Sequence, residues 1–256
     1  MLKQKFDSVP WTIKQTFNGV FFTLVPWIAF IVVNSLFTTS TNPASAKPLS
    51  PQVDVTNAIT SLIFSLVIYC IFLIAPFLYA RRSQRAPISD SRSVWQLLGF
   101  RRFNVGFSVL LVLAALVVII VLNQSYAFLI QTFHLHLQTN DQVILQNAKI
   151  APITTYVSLF VAVLIAPFCE EIFFRSFTFM GLKNGMRLGV AVVMSALIFA
   201  VAHGDPGSFP ILVCIGLALA GLRLVTGSYW PGFMLHLLNN GLSAVLVILA
   251  IHGITI

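Results

Sequence analysis

Two glutamates occur in this chain of 256 residues, and they are adjacent: Glu170 and Glu171, at the end of the apolar run Ile153 to Phe168. Holding a charge at membrane depth costs roughly 2.5 kcal/mol or more, so an ionisable side chain kept there is a candidate for function. Glu171 has an evident partner in Arg175, four residues on, on the same helical face and in the favourable acid-before-base order. Glu170 points about 100° away from that pair and needs another neighbour or a water. His203 closes a second apolar run, Phe199-Ala200-Val201-Ala202-His203, just before the helix-breaking Gly204-Asp205-Pro206-Gly207. His236 and Asn240 stand four apart in His236-Leu237-Leu238-Asn239-Asn240 and share a helical face. A lone polar residue of this kind often only bonds a neighbouring helix, for roughly 1 kcal/mol. Glu170, Glu171, Arg175, His203, His236 and Asn240 together gather both glutamates and two of the five histidines on three apolar runs, which predicts one shared site. A carboxylate among imidazoles equips such a site for general acid–base chemistry or for holding a metal.

The elements that carry these residues are helices in lipid. Hydrophobic residues make up 58% of the chain and charged residues 9%, a balance that excludes a soluble domain. Apolar runs predict spans near 19–37, 58–80, 105–122, 153–168 continuing into the glutamate motif, 188–202, 209–225 and 233–251. The expected fold is all-α, a polytopic membrane helix bundle of about seven spans, with six to eight open because the fifth and sixth runs are short. The net charge of +8 does not point to nucleic acid, because the basic residues alternate by loop. Lys3, Lys5, Lys14, Arg81, Arg82, Arg85, Arg92, Arg101, Arg102, Arg175, Lys183, Arg187 and Arg223 fall on one side or near it, and only Lys47 and Lys149 on the other. The positive-inside rule then puts the N-terminus in the cytoplasm, in a multi-pass protein of the cell membrane.

Several other polar features carry no chemistry. Cys70, Cys169 and Cys214 are single and lie in apolar runs, so no disulfide framework or CxxC site can be drawn. His134 and His136 lack a carboxylate or third histidine beside them and read as a solvated or interfacial loop, and the Gln/Asn-rich stretch 138–147 that follows is polar. The chain thus divides into an N-terminal three-span region, 1–152, and a membrane core, 153–256, that holds the site. If the fourth helix runs to about Leu182 and turns at 183–187, the fifth returns antiparallel, and Glu170 and His203 come within about 5 Å in depth at ~1.5 Å per residue. Only if the 176–187 hairpin projects into the cytoplasm can His236, a turn or so inside its own helix, reach the same depth.

Three motifs, Glu-Glu-x3-Arg (Glu170 to Arg175), Phe-x3-His (Phe199 to His203) and His-x3-Asn (His236 to Asn240), occur in that order. With the run Thr226-Gly227-Ser228-Tyr229-Trp230, they resemble the CAAX-protease and bacteriocin-processing family (CPBP, or Abi) of intramembrane endopeptidases, over roughly residues 153 to 250. The resemblance implies that Glu170 and His203 activate a water, that His236 and Asn240 donate to the developing oxyanion, and that Glu171 and Arg175 hold the helix and its electrostatics. It implies no cofactor; the alternative is a metalloprotease with zinc on Glu170, His203 and His236. The expected partners are a peptide or membrane-protein substrate and the lipid bilayer, with no nucleic acid and no oligomeric state indicated. A non-proteolytic bacteriocin-immunity binder and a proton-coupled transporter are the other classes. The transporter lacks the paired broken helices that such folds show.

Overall fold

The computed structural model describes residues 8–37, 47–85 and 92–254, with the main chain alone at 34–37. Lys3 and Lys5, counted above in the charge asymmetry, lie outside the described residues. Nine helices follow one another among them: α1 Ile13–Phe37, α2 Pro51–Gln84, the single turn α3 Val94–Leu97, α4 Val105–Thr132, α5 Asn140–Ile150, α6 Pro152–Lys183, α7 Leu188–Ala202, α8 Phe209–Thr226 and α9 Trp230–Ile251. Six of them (α1, α2, α4, α6, α8 and α9) are long and apolar enough to cross a membrane, and α7, at 15 residues, is a shorter apolar helix. The chain is a multi-pass membrane protein, an all-α bundle within the expected six to eight spans. The helix α5, over the polar stretch outside the expected spans, buries Ala148.

Local chemistry sets the helix ends. Asn104 accepts from Phe107 N at 3.1 Å to start α4, and Ser93 and Gln96 form a capping box on α3. Gly227, at φ +63°, stops α8 in a left-handed residue that suits glycine. The start of α6 is capped from another helix. The carboxylate of Asp54 on α2, itself buried, accepts from Ile153 N at 2.8 Å and Thr154 N at 3.0 Å, and from Thr154 Oγ1 at 2.7 Å. Leu49 N donates to Ile150 O, so the segments that carry Lys47 and Lys149 meet at this end of the bundle.

The opposite end collects the basic segments. Asn184 Nδ2 donates to Val9 O and Trp11 O, Trp11 Nε1 to Phe177 O, and Arg92 to Ser8 O, so the start of the described chain clasps the hairpin after α6. By the positive-inside rule this end faces the cytoplasm. The hairpin extends past the α8–α9 corner: Tyr229 Oη donates to Phe168 O at 3.0 Å, which brings that corner alongside Phe168, about four turns of α6 short of Lys183. The segment between α3 and α4 wedges in beside that corner. Leu97 and Leu98 are fully buried, Phe100 stacks on Tyr229 at 4.4 Å, Tyr229 N donates to Gly99 O, and Ser228 Oγ to Arg101 O. The arginine-rich loop is therefore partly core.

Helix α6 is the axis of the bundle. Ile172, Phe173, Phe177, Phe179 and Leu182 are wholly buried on it, whereas Leu110, Leu113, Val117, Val118 and Val121 of α4 face outward, as lipid-exposed positions do. Two wide-turn π segments interrupt it, Val161–Ile165 and Glu171–Phe179, on either side of the turn that carries Glu170. The first has a cause in the sequence. Ala166 N reaches back to Val161 O, and Pro167 has no N–H, so no main-chain donor of that turn is left for Ala162 O. Asn240 Nδ2 from α9 fills the position at 2.9 Å.

Candidate active site

Glu170 ends the short α-helical turn between the two π segments of α6, and π turns recur where helices serve function. Its carboxylate meets side chains from α2, from α9 and from the residue that follows α7. Oε2 lies 3.7 Å from His203 Nε2 and 3.8 Å from His236 Nε2, while Oε1 accepts from Tyr69 Oη at 3.3 Å. Glu170 and both histidines are thus neighbours. Oε2 takes no hydrogen bond from any described residue.

Both imidazoles are oriented by what holds their other nitrogen. His203 follows the last residue of α7, and its Nδ1 lies 2.7 Å from Phe199 O one turn earlier. A carbonyl can only accept, so Nδ1 carries the hydrogen and, in the neutral ring, Nε2 presents a lone pair toward Glu170. His236, buried on α9, places Nδ1 3.1 Å from Glu171 Oε1. An ionised carboxylate also only accepts, so Nδ1–H points at Glu171 and Nε2 at Glu170.

Glu171 and Arg175 sit wholly inside the protein, each 1% exposed, with Arg175 Nε 3.6 Å from Glu171 Oε1. That separation makes an ion pair without a hydrogen bond. The guanidinium gains a second partner in Phe199, whose ring lies 4.1 Å beneath it. Phe199 also packs edge-on against His203 at 4.4 Å and His236 at 5.7 Å, so one ring braces the cation and both imidazoles. Gly232 makes room for Glu171: a Cβ there would stand 2.9 Å from Oε2. Glu171 therefore acts on His236 as well as on Arg175.

Asn240, one turn beyond His236 on α9, is committed differently. Its Nδ2 donates to Ala162 O, and its Oδ1 accepts from Asn239 Nδ2 at 3.2 Å. The site opens into a cavity of about 170 Å³ between α1, α2, α6 and α7, lined by Trp27, Phe64, Ile68, Phe72 and Phe174 with Ser65, Tyr69, Glu170 and His203 as its polar wall. Trp27 is fixed there by Nε1 donating to Ala202 O at 2.8 Å. Tyr69 and Trp27 come from the region before residue 152, where no chemistry was legible. A tyrosine mid-way along an apolar run was the available signal, since a buried phenol needs a partner.

For a metal, the donor set offered is one carboxylate oxygen and two Nε2 atoms, each imidazole held through Nδ1. Among the described residues no group of three or more His, Cys, Asp or Glu side chains is arranged to hold a metal ion. His134 and His136 lie on an exposed turn, away from this cluster.

Residues 152–242, the stretch that contains every one of the motif residues, match the family model described as type II CAAX prenyl endopeptidase Rce1-like. Over this stretch the chain is similar to the CAAX proteases. Among curated proteins it is 29% identical over 101 residues to a Bacillus subtilis protein named as a membrane peptidase, YdiL, covering 40% of each chain. It is 28% identical over 155 residues to the membrane-embedded CAAX protease MroQ of Staphylococcus aureus, covering 57% of this chain and 55% of MroQ. The matches thus span about half or less of those relatives' own lengths. No solved structure matches the chain significantly.

Proposed function

We propose that this protein is an intramembrane endopeptidase in which Glu170 is the general base and His203 its partner in activating water. The observation that carries the reading is the convergence of two Nε2 atoms on Glu170 Oε2, at 3.7 and 3.8 Å, beside an apolar cavity that Glu170 and His203 line. A water between Oε2 and His203 Nε2 gives its proton to Glu170 as its oxygen bonds to the substrate carbonyl carbon. The resulting oxyanion is stabilised by donors, each worth roughly 2.7–4 kcal/mol where such donors have been removed. His236 serves there by donating from Nε2, which requires the doubly protonated ring. Glu170 then passes its proton to the departing amine as the C–N bond breaks. Glu171, Arg175 and Phe199 keep the imidazoles aligned, and Asn240 keeps α9 in register with the π turn of α6.

The cavity's aromatic and aliphatic lining suits an apolar side chain next to the scissile bond, so the substrate class is an apolar or lipidated peptide segment presented at the membrane. CAAX-type processing and maturation of a bacteriocin precursor both fall within it. Proteomic comparison of chain termini in cells carrying wild type or Glu170→Ala tests the reading. Wild-type-specific termini in membrane proteins or secreted peptides are expected, and His203→Ala and His236→Ala should each lower their formation at least ~100-fold. Identical termini in both strains, with a phenotype retained by Glu170→Ala, would replace the protease by a non-proteolytic binder.

A further inference from the structure

The general base has a hydrogen-bond partner that lies outside all three motifs. Glu170 Oε1 accepts from Tyr69 Oη at 3.3 Å, while Oε2, the oxygen that faces both imidazoles, takes no hydrogen bond from any described residue. The two oxygens of a carboxylate are chemically equivalent, and rotation about the last side-chain bond exchanges them. A donor on one oxygen removes that equivalence and fixes the plane of the group. Tyr69 sits about half-way along α2, its ring in edge contact with Phe72 at 6.1 Å, and lines the same cavity as Glu170. Phe72 in turn packs on Phe173 at 5.0 Å and Phe174 at 6.0 Å of α6, so the phenol is held by a packed ring cluster.

We propose that Tyr69 is the positioning residue of Glu170: its hydroxyl anchors Oε1 so that Oε2 is aimed at the Nε2 atoms of His203 and His236. The proposal rests on the reading of Glu170 as the base. It gives α2 a direct part in the chemistry, because a shift of α2 against α6 would release the carboxylate from its aim. Tight placement of reacting groups is where such an anchor acts, on turnover more than on binding.

The chain's two glutamates make a direct test available, since glutamate labelled with ¹³C in its side-chain carboxyl reports on Glu170 and Glu171 alone. In isotope-edited infrared spectra of the purified full-length protein, Glu170→Gln identifies the Glu170 band. Tyr69→Phe should shift that band and leave the Glu171 band in place. Turnover is read on a quenched peptide carrying the cleavage site found by the proteomic comparison. There Tyr69→Phe should lower kcat roughly 10- to 100-fold, the loss of one hydrogen bond to a charged group, with little change in KM or melting temperature. An unmoved Glu170 band overturns the proposal whatever the activity. An unchanged kcat in Tyr69→Phe alongside an inactive Glu170→Ala overturns it and leaves the base assignment standing. Retained cleavage by Glu170→Ala sinks both.

Discussion

Replacing Asn240 by alanine separates two roles that one side chain can play here. Its Nδ2 donates to Ala162 O at 2.9 Å, in the turn where Pro167 supplies no N–H. Without that donor the carbonyl is left unsatisfied in a lipid environment where no bulk water replaces it, at a cost of about 1–3 kcal/mol. Asn240→Ala should therefore lower the melting temperature of the detergent-solubilised protein, and cleavage per folded molecule should fall much less than in Glu170→Ala. The second arm is Pro167→Ala, which returns an N–H to the turn. In the double variant Pro167→Ala/Asn240→Ala the new amide can take over Ala162 O, and most of the lost stability should come back. If Asn240 instead donates to the oxyanion, the loss is of roughly 2.7–4 kcal/mol in the transition state, which Pro167→Ala cannot restore. An Asn240→Ala protein with wild-type stability and no cleavage would refute the capping argument.

Three further outcomes are expected. Asp54→Ala removes the cap on α6, with its bonds to Ile153 and Thr154, and should cost about 2 kcal/mol of stability with activity per folded molecule unchanged; lost cleavage at full stability would contradict this. Arg175→Ala strands Glu171 inside the protein and should reduce folded yield, since breaking a buried pair costs about 3–5 kcal/mol; a fully folded but inactive Arg175→Ala would move Arg175 into the chemistry. Exhaustive chelation should leave the purified enzyme active. One equivalent of zinc per chain, with activity lost on its removal and regained on its return, would make Glu170, His203 and His236 ligands instead.

Composition and loop charge were enough to read a membrane bundle and its spans, because hydrocarbon imposes length and apolarity on any helix that crosses it. The spans that missed their ends did so where polar residues extend a helix beyond the hydrocarbon. Helix α2 runs on through Arg81 and Arg82 to Gln84, and α4 runs through Asn123 to Thr132. Helix α5 was missed because Asn140 to Ile150 buries little more than Ala148, and a pattern of that strength does not separate a surface helix from a loop.

For the site, spacing alone paired Glu171 with Arg175 and put His236 and Asn240 on one face, since both relations are local to a helix. The antiparallel count also brought Glu170 and His203 to a similar depth. Which atoms face which was decided only by the packed bundle. His236 turns Nδ1 to Glu171, Phe199 braces the arginine and both histidines, Asn240 reaches a carbonyl that Pro167 leaves without a donor, and Tyr69 arrives from 101 residues away to hold Glu170. A helical repeat fixes angles about its own axis. The rotation and slide of one helix against another are set by the side chains that interlock between them, and those contacts exist only after the chain has packed.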